Sequence, residues 1–271
     1  MSFRLPRIGG VQNFNDEVEF TAAALRTSVG RIVAEVGLGG YEPETIGAAI
    51  ALVQAERLDS FADIGANIGI FSLVLKSIFG DGLDVDAFEP LPRLNEIAAS
   101  LASLNSLRLD VHREALSNTA GTAKFYVSAK SDSSNSLNAD FRAAKEVIDV
   151  QLATIDEFFA GKLARRWLMK VDTESTEPDV LEGGAEFIAS ARPWIICEVL
   201  ANRGEERLQR IVDQHGYFAY HLDGGQMEEP AKIEGDPTYR CRDWLFAPKQ
   251  LDTRFRQLYA ETQAALRDIH P

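Results

Sequence analysis

The sequence predicts an α/β fold in which a mainly parallel sheet carries helices on both faces. Two observations lead to this prediction. Segments with strand and helix character alternate along most of the chain, and a glycine turn joins the first strand of that series directly to a helix. The turn follows an apolar run that ends in Asp63, and Gly65 and Gly69 bracket it. A strand, a tight turn and a helix in this order present a nucleotide-like ligand at the carboxyl edge of a sheet.

The predicted elements fall into three segments. Residues 1–58 are expected to form a helical N-terminal extension that packs on the core, with helices over residues 18–36 and 44–58. Residues 59–250 are expected to form the α/β domain, and residues 251–271 a C-terminal helix or tail. Strands are predicted at residues 60–64, 84–88, 108–112, 167–172, 194–199, 218–222 and 243–247, and helices at residues 67–79, 94–104, from about 176, and at 203–215. Residues 123–127 and 147–153 are predicted as an inserted, hairpin-like pair of strands.

Composition excludes several classes of function. The formal net charge of -13 argues against nucleic acid as a partner, because a phosphate-binding surface needs clustered Lys and Arg. No apolar run is long enough to span a bilayer, and the N-terminus has no apolar core of the signal-peptide kind. Cys197 and Cys241 lie far apart in apolar segments, so we expect two buried thiols, no disulfide and a cytoplasmic location. The four histidines lack the spacing of a metal site, and the helical N-terminal segment offers a surface for a homodimer.

The acid before the glycine turn discriminates between cofactors. A carboxylate at Asp63 would repel the pyrophosphate of a dinucleotide and attract the ammonium and sulfonium groups of S-adenosylmethionine. Exposed N–H groups of the turn are expected to bind the ligand carboxylate, and Asn67 either caps the next helix or contacts the ligand. Glu89 ends the second strand about 24 residues after Gly65, where an acid can bind a ribose diol. Ala115 either lines an adenine slot or packs as an ordinary core residue.

A second group of acids is predicted at the ends of the fourth and fifth strands. Asp172 and Glu174 should lie beside the glycine turn, where they can bind a metal, position a hydroxyl or act as a base. Lys170 precedes Asp172 by two residues and shares its face, so the two form either a structural ion pair or a part of the site. Glu198 either contacts the substrate, acts as a base or is a solvated strand end. The polar segment at residues 131–137 is either a flexible linker or a lid that contacts a polyhydroxylated substrate.

A set of short motifs, in this order, resembles the FkbM-type family of S-adenosylmethionine-dependent methyltransferases. The matching motifs are Tyr41-Glu42-Pro43, Asp63-Ile64-Gly65-Ala66-Asn67-Ile68-Gly69, Phe88-Glu89-Pro90, Glu114-Ala115-Leu116, residues 134–137, Thr154-Ile155-Asp156, Lys170-Val171-Asp172-Thr173-Glu174, Val180-Leu181-Glu182-Gly183 and Arg192-Pro193 leading to Glu198. They cover about residues 40–200. One motif departs from the family: Ser175-Thr176-Glu177 stands where relatives commonly have Gly-Ala-Glu.

The resemblance implies a Rossmann-like class I methyltransferase fold with a mostly parallel sheet of seven strands. It also implies that Asp63, Gly65, Asn67 and Glu89 bind S-adenosylmethionine. Its implied reaction is O-methylation of a hydroxyl on a small molecule, a sugar or glycan, or a polyketide-like product.

Within that reaction, Asp172 or Glu174 would act as the base or orient the hydroxyl, and Glu198 would help to shape the pocket. Three alternatives stay open at this point. In the first alternative, the pair Asp172 and Glu174 binds a divalent cation that lowers the pKa of the acceptor hydroxyl. In the second, the protein is an oxidoreductase that binds a nicotinamide dinucleotide. Asp63 and the lack of a third glycine in the turn argue against this alternative. In the third, the protein is a non-catalytic module that keeps the cofactor pocket.

Overall fold

Twelve strands and nine α-helices are present in the part of the chain that the computed structural model describes, which is residues 1–224, 227 and 229–269. The strands are β1 (Ser2–Arg4), β2 (Glu17–Glu19), β3 (Ser60–Ile64), β4 (Asp84–Phe88), β5 (Asp110–His112), β6 (Ala115–Leu116), β7 (Gly121–Ser128), β8 (Ala144–Ala153), β9 (Trp167–Val171), β10 (Trp194–Glu198), β11 (Phe218–His221) and β12 (Asp243–Ala247). The helices are α1 (Ser28–Val36), α2 (Pro43–Glu56), α3 (Ile70–Phe79), α4 (Pro92–Leu104), α5 (Ile155–Phe158), α6 (Glu177–Glu182), α7 (Ala185–Ala191), α8 (Glu205–His215) and α9 (Thr253–Arg267).

Seven strands form the central sheet in the order β11-β12-β10-β9-β3-β4-β5. The pairs from β10 to β5 are parallel, and β12 runs antiparallel to both of its neighbours. Successive residues of a strand enter opposite faces of the sheet, so Phe61 packs in one apolar cluster and Ala62 in the other. Helices cover both faces, and the predicted α/β fold with a mostly parallel, seven-stranded, Rossmann-like sheet is confirmed.

The strand order reverses at β3, which has β4 on one side and β9 on the other. Connections leave the sheet in opposite directions at such a point, and a crevice opens beyond the carboxyl ends of the strands. The register pairs Ile64 of β3 with Val171 of β9, so both strands end at the same level. The glycine turn after β3 therefore lies directly beside Asp172.

This close approach explains why residue 65 is glycine. Gly65 has a φ of 85°, and a Cβ there would lie 1.8 Å from the carbonyl oxygen of Asp172. The N–H groups of Gly65 and Ala66 both donate to the Phe88 carbonyl, at 3.0 and 2.9 Å. The turn is thus fixed by backbone contacts with both neighbouring strand ends.

The helix predicted over residues 18–36 is wrong before residue 24. A short 3-10 helix covers Ala24–Arg26, and α1 follows it. β1 and β2 pair antiparallel before this 3-10 helix, and α1 begins only after Thr27, whose side chain accepts the N–H of Gly30 at 3.0 Å. Val18 and Phe20 are buried while the residue between them is exposed, which is the period of a strand and not of a helix. α2 then packs along α9, where the Gln263 side chain donates to the Pro43 carbonyl at 2.7 Å.

The predicted inserted strands are present as β7 and β8, which pair antiparallel and form a separate sheet with β6. Residues 129–143, hereafter the bridging loop, connect β7 to β8. Both cysteines are free; Cys197 is buried, but Cys241 is partly exposed and not buried as predicted. Among the described residues, no helix combines the length and apolar character that crossing a membrane requires. His270 and Pro271, at the end of the predicted C-terminal segment, lie outside the described residues.

Replacing Gly65 by Ala tests the close approach at the strand reversal. Gly216→Ala is the matched control, because Gly216 also has a positive φ of 63° but nothing within 4 Å of the position of a Cβ. The control should lose about 1 kcal/mol for its left-handed backbone alone. We expect Gly65→Ala to lose at least about 2 kcal/mol more in the free energy of unfolding, measured by urea denaturation, because the backbone of residue 172 must move. Equal losses of stability in the two variants would contradict the conclusion that the close approach to Asp172 requires glycine at position 65.

Candidate active site

A cavity of about 230 Å³ opens at the carboxyl ends of β3, β4 and β9. Its walls also include the bridging loop and residues from α1 and the α1–α2 connection. Among the described residues that line it are seven acidic side chains (Glu42, Asp63, Glu89, Glu114, Asp132, Asp172 and Glu174) and three basic ones (Lys170, Arg142 and Arg242). The balance of charge favours a cationic ligand.

Asp63 lines this cavity although only 2% of its surface is exposed. One of its carboxylate oxygens accepts the Ser72 hydroxyl at 2.6 Å and the Ser72 N–H at 3.2 Å. Burial raises the pKa of Asp63, and the nearby Lys170 ammonium and the Ser72 hydrogen bonds oppose that rise. The acid predicted to attract a cation is therefore in the cavity wall, and α3 fixes its orientation.

The N–H groups of the glycine turn are all used within the protein. Gly65 and Ala66 donate to the Phe88 carbonyl, Asn67 to the Glu89 carboxylate, Ile68 to the Asn67 side chain and Gly69 to the Ala66 carbonyl. The expectation that exposed turn N–H groups bind a ligand carboxylate is therefore wrong. Gly69 does not contribute to the cavity wall; it is the N-cap of α3, with a φ of 80°.

Glu89 is 5% exposed and lies in the cavity wall beside the turn. Its two carboxylate oxygens accept the N–H groups of Asn67 at 3.0 Å and Leu91 at 2.8 Å. Burial raises the pKa of Glu89 to about 8, against the effect of those two backbone donors. Each oxygen can accept a second hydrogen bond, so the side chain keeps capacity for a ribose hydroxyl. Ala115, 6% exposed, contributes an apolar surface to the same cavity.

The bridging loop is fastened to the glycine-turn side of the cavity. Asn67 has a left-handed backbone (φ 54°) and does not cap α3; its side chain donates to the Asp132 carbonyl at 3.0 Å. The Asp132 carboxylate accepts the N–H of Ser28 at 2.9 Å and pairs with Arg93 at 3.1 Å.

The same loop is also fastened to the β9 side. The Ser136 hydroxyl donates to the Glu174 carbonyl at 2.7 Å, and the Asn138 side chain donates to the Ser175 hydroxyl at 3.0 Å. A flexible linker would lack anchors on both sides. Of the two interpretations left open by the sequence, these contacts favour a cover over the cavity.

Asp172, Glu174 and Glu198 come together as predicted from their strand ends, with one carboxylate oxygen of each within 4.8 Å of the others. Asp172 and Glu174 line the cavity, but Glu198 does not. Glu198 is 2% exposed and pairs with Arg242 at 2.5 Å, so it is not a solvated strand end.

The three acids differ in how readily they ionise. Burial opposes ionisation of Asp172, yet Lys170, 2.6 Å away, and Arg242 hold its pKa below the ordinary value. Burial and the neighbouring Asp172 charge raise the pKa of Glu174 to about 8. Burial, Asp172 and Glu174 raise the pKa of Glu198 well above its usual range.

Glu177 lies in the first turn of α6, is 1% exposed and organises the loop that carries Glu174. One of its oxygens accepts the N–H groups of Thr173 at 2.8 Å and Ser175 at 3.2 Å. These contacts hold Glu174 and Ser175 in left-handed backbone conformations, with φ of 57° and 84°. Ser175 thus has a backbone conformation that favours glycine.

Several residues of the cavity wall were not predicted as site residues from the sequence. Glu42 adopts a left-handed backbone before α2, and burial raises its pKa to about 7. Its motif was recognised, but no chemical signal assigned it to the cavity. Arg142, Tyr239 and Arg242 reach the wall from loops and the start of β12, whose positions depend on tertiary packing.

Comparison with solved structures finds methyltransferases at low similarity. An FkbM methyltransferase from Methylobacillus flagellatus is 14% identical with a TM-score of 0.48, over 70% of this chain and 43% of that chain. An S-adenosylmethionine-dependent methyltransferase from Aquifex aeolicus is 12% identical with a TM-score of 0.40, over 77% of this chain and 90% of that one. The present chain thus spans less than half of the Methylobacillus protein, and TM-scores below 0.5 support no further conclusion. No curated protein matches the chain.

The family comparison is more decisive. The model of the methyltransferase FkbM domain matches residues 63–224, which is more than half of the chain. This match confirms the predicted family and, with it, S-adenosylmethionine as the cofactor. The chain belongs to the FkbM methyltransferase domain family.

Proposed function

We propose that the protein methylates a hydroxyl group of a small-molecule or glycan acceptor. The observation that carries this proposal is one cavity that joins an acidic wall at the glycine turn to Asp172 and Glu174 at the strand reversal. S-adenosylmethionine supplies a methyl group on a positively charged sulfur, which is already electrophilic. The protein must therefore bind that cation, align the acceptor oxygen and receive its proton.

The cavity wall suits this cofactor by its chemistry. Asp63 and Glu42 would hold cationic groups, and one Glu42 oxygen is buried without a hydrogen-bond partner among the described residues. Glu89 would accept ribose hydroxyls, and Ala115 and Leu116 would form the apolar surface for adenine. The same carboxylates disfavour the pyrophosphate of a dinucleotide, in agreement with family membership and against the oxidoreductase alternative.

Glu174 is the base in this proposal. A general base works best when its pKa lies near the operating pH, and that of Glu174 is about 8. Asp172 stays ionised beside Lys170 and provides a fixed negative charge that orients the hydroxyl. Glu198 lies behind the wall and positions Arg242. The proton of the acceptor hydroxyl passes to the Glu174 carboxylate as the oxygen becomes nucleophilic.

The pH dependence of turnover tests this division of roles. A carboxyl group must lose its proton to act as a base, so kcat should rise with pH and level off above about 8. Glu174→Gln should lower kcat at least about 100-fold while S-adenosylmethionine binding persists. Asp172→Asn removes a charge that raises the Glu174 pKa, so the rise in kcat should move to lower pH. Full turnover by Glu174→Gln would contradict the assignment.

A divalent cation between the three acids is the second candidate, because their oxygens lie within 4.8 Å of one another. Lys170 and Arg242 already neutralise two of the three, at 2.6 and 2.5 Å, which opposes a metal. We therefore expect turnover to be unchanged by EDTA. A loss of tenfold or more that added Mg²⁺ restores would favour the metal-assisted reaction instead.

Binding of the cofactor should release protons. A bound cation favours ionised carboxylates, and Glu89 and Glu42, with pKa values of about 8 and 7, are partly protonated near pH 7.5. Affinity for S-adenosylmethionine should thus increase with pH up to about 8. S-adenosylhomocysteine lacks the sulfonium charge and is the matched control: titration calorimetry in buffers of different ionisation enthalpy should show that it releases fewer protons. Equal proton release by both ligands would argue against the acidic wall as the donor site.

A further inference from the structure

Two arginines share one aromatic ring at the bridging loop. The guanidinium carbon of Arg142 lies 4.9 Å from the centre of the Phe141 ring, and that of Arg203 lies 5.5 Å from the same centre. Within the described part of the chain, neither guanidinium has a carboxylate partner. Acidic residues outnumber basic ones by 41 to 28 in this protein, so two neighbouring arginines without such partners are a notable concentration of positive charge.

Arg142 connects this pair to the reaction-centre side of the cavity. Arg142 is part of the cavity wall, and its charge acts on Glu174, whose pKa it lowers against the larger effects of burial and Asp172. Arg203 follows Leu200, another residue of the wall, and its backbone N–H donates to the Leu200 carbonyl at 3.1 Å. The Arg142 guanidinium therefore lies near the proposed base. That of Arg203 shares the Phe141 ring with it and is not itself part of the cavity wall.

The backbone around both arginines is held in place. The N–H of Phe141 donates to the Asn138 carbonyl at 3.2 Å, and Asn138 is itself bonded to the loop after β9. On the other side, the Glu205 carboxylate accepts the N–H of Arg203 at 2.9 Å and that of Asn202 at 2.6 Å. The pair is thus presented by two fixed turns.

The cofactor does not account for these charges. A cationic methyl donor is repelled by guanidinium groups, whereas a carboxylate or phosphate binds them through paired N–H donors. An anionic acceptor would meet repulsion from Asp172 and Glu174, and Arg142 offsets that repulsion close to where it acts. Tyr239, in the cavity wall and 51% exposed, adds an aromatic face that suits a sugar ring.

We propose that the acceptor carries a carboxylate or phosphate group, which Arg142 and Arg203 bind while a neighbouring hydroxyl reaches Glu174. This inference rests on the proposed methyl transfer and narrows its substrate class to acidic sugars and similar anionic hydroxyl compounds.

The test uses matched probes and the protein of residues 1–271 loaded with S-adenosylhomocysteine. The probes are methyl glucuronide, glucose 6-phosphate and, as the neutral counterpart, methyl glucoside, with binding followed by titration calorimetry and ligand-observed NMR. We expect at least one anionic probe to bind at least about tenfold more tightly than methyl glucoside, which is the discrimination that one charge-assisted contact provides. The two anionic arms distinguish a carboxylate from a phosphate requirement.

Variants locate the preference. Arg142→Gln with Arg203→Gln should abolish the tenfold preference and leave the binding of S-adenosylhomocysteine unchanged. Arg210→Gln, an exposed arginine of α8 outside the cavity wall, makes the same charge change and should have no effect. Equal binding of charged and neutral probes, no binding of either anionic probe, or an undiminished preference in the double variant would overturn the inference. Failure to bind S-adenosylhomocysteine would instead overturn the proposed function.

Discussion

The ammonium group of Lys170 makes an acid-rich cavity compatible with a folded protein. It is buried in β9, 2.6 Å from Asp172 and 4.6 Å from the centre of the Phe71 ring. Its charge lowers the pKa values of Glu42, Asp63, Asp172 and Asp243 against the effect of burial. Unpaired carboxylates at this depth would take up protons or destabilise the fold. The charge on Asp172, and through it the ionisation of Glu174, therefore depends first on Lys170 and then on Arg242.

The two sides of the cavity that flank Lys170 differ in charge. The glycine-turn side is acidic and suits a cationic donor, whereas Arg142 brings positive charge to the side of the proposed base. The bridging loop joins the two sides, because Asp132 is fastened near the turn and Ser136 near Glu174. One covering segment thus contacts both the donor side and the reaction-centre side.

The central sheet could be predicted well from the sequence, since most of its buried strands are short, mainly apolar runs that end at or just before a polar residue or a glycine. β3, β4 and β12 have the predicted bounds. The error over residues 18–23 has a physical reason: an apolar spacing that short fits a strand as well as a helix, and the pairing of β2 with β1 determines the result.

The site was predictable in position but not in detail. The ends of neighbouring parallel strands must meet, which brought Asp63, Asp172 and Glu174 into one cavity wall. The N–H groups of Gly65, Ala66 and Asn67 have their partners on β4 and at its end, and the partner of Glu198 is Arg242, 44 residues away. Such pairings depend on tertiary packing, and no local pattern in the sequence encodes them.

The serine at position 175 links backbone strain to the exchange of ligands. Its hydroxyl holds the bridging loop through Asn138, while its left-handed backbone is one that glycine would adopt at lower cost. Moving the bridging loop away from β9 would require the hydrogen bond between Asn138 and the Ser175 hydroxyl to break. Exchange of a bound ligand would therefore depend in part on Ser175, which lies outside the cavity wall, together with the other contacts that hold the bridging loop.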